Sequence, residues 1–245
     1  MIVIPMAGLS RRFAEAGFDR PKYMLEAQGR TLFSHAVGSF EAYFDILPFL
    51  FVVRDVADTP AFVAEECRRL GVRDARAAVL AHTTRGQAET VALGLRKAGI
   101  APDETVTIFN IDTFRPGFRF PDSFDVAKVD GYLEVFEGEG ANWSFVRPAE
   151  AGSDRVAETT EKRPISTLCC TGLYHFRHAG AFLSAFEEQA AWPAERLQGG
   201  ELYVAPLYNT LIAAGADIRF HRIAREAVVF CGVPEEYDAF LKVPA

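Results

Sequence analysis

Residues 1–13 read Met1-Ile2-Val3-Ile4-Pro5-Met6-Ala7-Gly8-Leu9-Ser10-Arg11-Arg12-Phe13. A β-branched run that ends at a glycine-bearing turn predicts a strand buried on both faces, as in the interior of a parallel sheet. In an open sheet of that kind ligands gather at the carboxyl ends of the strands. Ala7, Gly8, Leu9 and Ser10 therefore lie where a ligand would be met. Gly8 lets backbone come close to a guest, its neighbours offer N–H groups, and the helix expected next would add its positive end. Arg11 and Arg12 add formal charge, and Arg20-Pro21-Lys22 brings another cation after a stiffened turn. A loop with so many donors suits an anion, best a polyphosphate. Read alone, the two arginines fit ordinary solvated surface cations equally well.

Outward from this loop, strand and helix patterns alternate. From Thr31, a fitting N-cap, the residues Phe33, Ala36, Val37, Phe40 and Phe44 fall on one helical face. Phe49–Val53 reads as a buried strand, Pro60–Leu70 as a helix stopped by Gly71, Ala75–Leu80 as a weak strand. Gly86–Ala98 is an amphipathic helix and Thr105–Phe109 a strand. Short connections between alternating elements predict right-handed βαβ units. After Asp112 the rhythm changes to strands at 131–136, 143–146, 155–160 and 168–176. Helices return at 178–189, 203–214 and 234–241, with late strands at 218–223 and 227–231. No linker, repeat or charge block divides the chain. The expectation is one α/β domain over residues 1–245 with a mixed, mainly parallel central sheet flanked by helices, its pattern changing at about residue 112.

Composition narrows the function classes. The 245 residues are 49% hydrophobic and 24% charged, which removes disordered and disulfide-scaffold readings. With 26 Lys+Arg against 33 Asp+Glu the net charge is -7, the wrong sign for a chain whose main task is gripping nucleic acid. Four cysteines without a C-x-x-C pair suit a reducing, cytoplasmic compartment. No apolar stretch is long enough to cross a bilayer, and the opening residues, which lack a basic leader, are expected to be structure. The loop matches neither G-x-G-x-x-G nor G-x-x-x-x-G-K-[ST], which lowers dinucleotide and P-loop readings. The five histidines have no ligand spacing, and Cys169 and Cys170, adjacent in a strand, are expected to point to opposite faces.

Met6 to Phe13, Gly17 and Pro21-Lys22 together resemble the N-terminal signature of the sugar-1-phosphate nucleotidyltransferases, the NDP-sugar pyrophosphorylases. Further segments recur in the family's order. Gly86-Gln87 resembles its base-reading segment, and Asn110-Ile111-Asp112 the metal-binding aspartate at the end of a central strand. Glu161-Lys162 and Thr171-Gly172-Leu173-Tyr174 resemble the elements that hold the acceptor. Glu201-Leu202-Tyr203 and Gly232 to Tyr237 resemble the closing segments. The ordered set spans nearly the whole chain. It departs from the family pattern at Ser10, where a glycine is usual, at Arg11, where a small residue is usual, and at Phe230, where many members carry a second metal-binding aspartate.

The resemblance implies a Rossmann-like fold of the glycosyltransferase-A type and a Mg²⁺-dependent reaction. A nucleoside triphosphate and a small phosphorylated acceptor would give a nucleotide-activated product and pyrophosphate. It implies Arg12 on the β/γ-phosphates, Lys22 near the reacting phosphate, Asp112 on Mg²⁺, Gln87 with Gly86 at the base, and Lys162 and Glu161 at the acceptor's phosphate and its hydroxyl or amine. Ala7, Gly8, Leu9, Ser10, Asn110, Gly172 and Glu201 complete the binding set. The nearest resemblance is to a small bacterial branch linked to capsule or lipopolysaccharide building, where some relatives activate acceptors that are not sugars, phosphorylated glutamine among them. An oligomer is compatible with the sequence, while nucleic acid and membrane are not expected partners. Plainer readings stand beside these. Asp112 fits a turn cap, Glu161-Lys162 a solvated pair, Gln87 a helix start, and Glu201 a residue ahead of a helix. A nucleotide-sugar-dependent glycosyltransferase, and a catalytically silent nucleotide-binding module that has lost a metal carboxylate at Phe230, are the alternative functions.

Overall fold

Ile2, Val3 and Ile4 are wholly buried, and their alternation divides the molecule. Val3 faces one core with Leu50, Val52, Val91 and Leu95. Ile2 and Ile4 face another with Phe33, Phe49, Phe51 and Phe109. Successive strand residues point to opposite faces, so the sheet that contains them is covered on both sides. The second core absorbs many of the 21 phenylalanines. Phe40 meets Phe109 edge-on at 5.0 Å and Phe118 at 4.9 Å between ring centroids. Cys169 and Cys170 belong to different cores, as their adjacency in a strand requires.

The computed structural model describes residues 1–243, so the last two positions of the expected 1–245 domain lie outside the described residues. In chain order the main elements are β1 (Ile2–Pro5), α1 (Arg11–Glu15), α2 (Leu32–Gly38), β2 (Phe49–Arg54), α3 (Thr59–Leu70), β3 (Ala75–Leu80), α4 (Gln87–Lys97) and β4 (Val106–Phe109). There follow β5 (Gly131–Glu137), β6 (Ser144–Pro148), β7 (Val156–Glu161), β8 (Leu168–Phe176), α5 (Ala179–Ala190), α6 (Tyr208–Ala213), β9 (Ile218–Ile223) and α7 (Pro234–Leu241). The nine strands form one sheet in the order β7-β6-β8-β4-β1-β2-β3, with β5 on the other edge of β8 and β9 beyond it. β1 to β6 and β9 run one way, β7 and β8 the other. The domain is thus α/β with a mixed, mainly parallel sheet.

Strand order locates the site. From β1 the chain moves outward to β2 and β3, then returns to the opposite side of β1 as β4. The loops leaving β1 and β4 therefore diverge at a reversal of winding, where open α/β sheets leave a crevice.

Several elements differ from the periodicity reading for local reasons. Thr31 caps α2 as expected, its hydroxyl accepting from the Ser34 N–H at 3.1 Å. The helix nevertheless ends at Gly38, and a separate 3₁₀ turn at Glu41–Tyr43 precedes the buried Phe44. Gly38 and Ser39 are weak helix formers where the break falls. The helix expected over 203–214 begins as a 3₁₀ turn, Ala205–Leu207, because Pro206 has no N–H to give an α-helix interior. The strand expected at 227–231 is only Val229–Phe230, paired with Thr113–Phe114. No helix among the described residues is long and apolar enough to cross a membrane.

His175 on β8 gives a pH prediction. Its ring stacks on Tyr132 at 4.9 Å, and its Nδ1 pairs with the Thr107 hydroxyl at 2.9 Å. Burial, with a smaller contribution from the N-terminal ammonium, lowers its pKa to about 3. The unfolded chain takes up this proton below about 6.5. Between those values the unfolded state binds more protons, so stability is full above about pH 6.5 and falls with acid. Burial also lowers His35 and His221, which add in the same direction. Urea unfolding at pH 7.5 and pH 5 should show His175 alone costing about 2 kcal/mol at the lower pH, and His175→Phe should remove that part of the slope.

Candidate active site

The loop after β1 is anchored by what lies under it. Phe13 is buried against Phe18 and Tyr237, with centroids at 5.4 and 6.2 Å, which turns Arg11 and Arg12 outward. Neither guanidinium makes an ion pair or hydrogen bond among the described residues. Ser10 adopts φ 49°, ψ 35°, the left-handed conformation that explains why a glycine is usual there. The expected contribution of a helix positive end needs correction. α1 has five residues, too short to build a substantial macrodipole. What remains for an anion is the loop's N–H groups and the two arginines.

Across the crevice, Asn110-Ile111-Asp112 leaves β4. Asp112 Oδ2 accepts from Lys22 Nζ at 2.5 Å, and its carbonyl accepts from the Cys231 N–H at 2.8 Å. Lys22 opens a 3₁₀ turn after Pro21. Gly232 leaves room beside this carboxylate, since a Cβ there would stand 3.2 Å from Asp112 Oδ2. Glu236 is engaged elsewhere, its Oε2 accepting from the N–H groups of Gly232 and Val233 at 2.7 and 3.3 Å. Asn110 Oδ1 accepts from Gln87 Nε2 at 2.5 Å. Gly172, at φ 96°, lets β8 pass this asparagine, because a Cβ would fall 2.4 Å from Asn110 Nδ2.

Gln87 is the first residue of α4, so its helix-opening place and its side chain's place in the crevice coincide. Gly86 caps that helix at φ 147°. The backbone it lets approach is the protein's own. A Cβ would lie 2.5 Å from the Leu202 carbonyl oxygen, and Leu202 is tied to Arg85 and Ala88 by main-chain bonds of 2.9 Å each.

Glu161, at the end of β7, is 8% exposed and accepts from the Ser144 hydroxyl, while its N–H donates to Gln198 Oε1 at 2.5 Å. Burial raises its pKa, with Ser144 and Lys162 opposing and Glu201 adding to the rise. Lys162 takes the left-handed conformation at φ 53° and donates to the Tyr203 hydroxyl at 2.6 Å. That bond raises the Lys162 pKa, so its charge is secure at neutral pH. Glu201 stands on the exposed rim.

Each residue to which the resemblance gives a binding, catalytic or metal-holding role, from Ala7 through Glu201, lines one cleft of about 1170 Å³. Arg12 and Asp112 face it together. Sequence reasoning missed Ser144, Gln198 and the engagement of Tyr203 with Lys162. Ser144 is found only through register, because it pairs with Glu161 across the β6–β7 ladder. Phe230, in place of a second carboxylate, packs on Trp143 at 4.7 Å and Phe136 at 5.4 Å. Among the described residues no three His, Cys, Asp or Glu side chains cluster as a metal site. Asp112 already binds a cation, the Lys22 ammonium, and Mg²⁺ is content with one or two carboxylates when phosphate and water fill its shell. The donor set thus fits an ion brought with a polyphosphate. All four cysteines are buried thiols, Cys67 and Cys231 pushed up to about 12, so none is a nucleophile near neutral pH.

The chain is similar over 99% of its length to the whole of a nucleoside-diphosphate-sugar pyrophosphorylase from Vibrio cholerae RC9, with 56% identity and a TM-score of 0.94. It shares the fold of a UDP-glucose pyrophosphorylase solved with UDP-glucose, at 14% identity, TM-score 0.77, covering 98% of this chain and 96% of that one. The same holds for an inositol-1-phosphate CTP transferase from T. maritima, at 14% identity, TM-score 0.74, covering 100% and 97%. No family model and no curated protein matches the chain.

Proposed function

The chain belongs to the nucleoside-diphosphate-sugar pyrophosphorylase family, and from that membership we propose that it joins a nucleoside triphosphate to a phosphorylated sugar or related small phosphorylated acceptor. The observation that carries this reading is the convergence of Arg12, Lys22, Asp112 and Gln87 on one cleft at the sheet's switch point. An acceptor phosphate oxygen attacks the α-phosphorus, the bond from that phosphorus to the bridging oxygen breaks, and pyrophosphate leaves. The nucleophile is already ionised, so no general base is required. The work lies in positioning two polyanions and stabilising growing charge.

Arg12 neutralises the β- and γ-phosphates with a geometry a lysine cannot offer. Lys22 serves as a point charge beside the reacting phosphate. Gln87, steadied by Asn110, presents an amide that both donates to and accepts from a base edge. Lys162 holds the acceptor phosphate, and Glu161, steadied by Ser144, takes an acceptor hydroxyl or amine. Asp112 with the nucleotide phosphates would hold Mg²⁺, which supplies charge neutralisation when bound. On this reading residues 1–112 carry the nucleotide and the remainder the acceptor. The four free cysteines support a reducing, cytoplasmic setting, and the sequence resemblance supports a role in surface polysaccharide precursors.

Incubation with each nucleoside triphosphate, Mg²⁺ and a panel of sugar, polyol and amino-acid phosphates should release pyrophosphate with at least one pair. No release across the panel would overturn the reading. Nucleotide binding in calorimetry without turnover would then mark a silent module, the alternative that Phe230 favours. Transfer from a ready-made nucleotide sugar would mark a glycosyltransferase.

A further inference from the structure

Asp112 is the carboxylate on which a divalent ion would depend, and it carries a cation of the protein's own. Lys22 Nζ stands 2.5 Å from Oδ2, with the two side chains 19% and 23% exposed. Partial shielding from water strengthens such a pair relative to one on the open surface. Both ends are fixed in the backbone. Lys22 follows Pro21 and precedes Tyr23, whose hydroxyl pairs with Thr59 at 2.7 Å in the core. Asp112 is tied through its carbonyl to Cys231. Glu236 Oε2 is held by the Gly232 and Val233 N–H groups, and the position of a second carboxylate is Phe230.

The Lys22 ammonium sits on Oδ2, cancels the carboxylate's charge and repels a second cation, so ammonium and divalent ion weaken each other's hold on Asp112. Lysine, unlike arginine, is a point charge on a flexible stem with three donors. Resting on the reading of Asp112 above, we propose that Lys22 is an internal latch on the metal-binding carboxylate. Its ammonium holds the cation's place until a triphosphate draws it away, so the divalent ion enters with the nucleotide and not before it. One swing of the side chain then does two things: it frees Asp112 for the ion and delivers Lys22 to the phosphates. Nucleotide and ion thereby favour each other's binding beyond direct chelation.

The test uses Mn²⁺ alone, titrated into the full-length protein without nucleotide and followed by electron paramagnetic resonance or calorimetry. Lys22→Gln should bind Mn²⁺ at least about tenfold more tightly than the wild type, and Lys22→Met should do the same. Lys22→Arg, which keeps the charge, should stay as weak as the wild type. Adding Asp112→Asn to Lys22→Gln should abolish the gain. Equal or weaker binding by folded Lys22→Gln and Lys22→Met, or a gain that survives Asp112→Asn, would overturn the latch. The readout needs no turnover. A protein inactive on every acceptor but with this Mn²⁺ pattern would sink the catalytic reading and leave the latch, and an active enzyme without the pattern would do the reverse.

Discussion

Arg12→Ala should lower kcat/KM about 10²–10³-fold, the usual cost of deleting one preorganised charge-stabilising donor, while leaving the melting temperature unchanged. Two features separate the effects. Arg12 is exposed, and its guanidinium has no partner among the described residues, so the fold gains nothing from it. It lines the same cleft as Lys22 and Asp112, where its charge is met only when a polyanion is present. Arg11 is the built-in control. It is equally exposed and lines the same cleft, but the family signature places a small residue there. Arg11→Ala should cost less than about tenfold, and Arg12→Lys should recover only part of the loss because a lysine cannot make the paired contacts of a guanidinium. Steady-state pyrophosphate release with thermal melts of all three variants checks this. An Arg12→Ala enzyme with wild-type kcat/KM would remove Arg12 from the machinery.

The sheet was legible because its central strands are extreme. Ile2, Val3 and Ile4, and Phe49 to Val53, are apolar on both faces, and only a strand buried on both faces requires that. Those strands then place the loops after β1 and β4 at the crevice. The acceptor side was less legible. Glu161 and Lys162 stood out as charges, yet what fixes them comes from across the ladder and from distant turns: Ser144 by register, Gln198 and Tyr203 from the segment before α6. Side-chain period tells which face a residue takes but not which strand lies opposite. The same limit hid the role of Asn110. Chosen as a ligand residue, it also buttresses Gln87 at the start of α4 and passes Gly172 closely, the second contact arising because β8 lies antiparallel beside β4. Lys22 and Asp112 were each chosen for a ligand, and their bond to one another was invisible across 90 residues of chain.

Gly86→Ala should be the most damaging single-carbon change in the cleft, at about 3–5 kcal/mol of stability. The backbone at φ 147°, ψ 179° lies in a region that is essentially glycine's alone, worth about 1–3 kcal/mol of strain for any other residue. The added Cβ would also meet the Leu202 oxygen at 2.5 Å, its nitrogen at 2.8 Å and its carbonyl carbon at 2.9 Å. These are main-chain atoms that cannot rotate away, and Leu202 is itself anchored in the core at 1% exposure. Relief requires parting the two segments, which breaks the bonds from Leu202 N–H to Arg85 and from Ala88 N–H to Leu202, each worth about 1 kcal/mol. The damage should extend to function on both sides of the cleft. Gln87 follows Gly86, and Leu202 sits between Glu201 and Tyr203, the partner of Lys162. KM should therefore rise for nucleotide and acceptor together. Gly8→Ala supplies the contrast: a Cβ there meets nothing within 4 Å, so its unfolding free energy should stay within about 0.5 kcal/mol of wild type. Urea unfolding of both variants decides the matter, and a Gly86→Ala protein as stable as Gly8→Ala would mean that the wall joining the two halves of the cleft is not held where the structure places it.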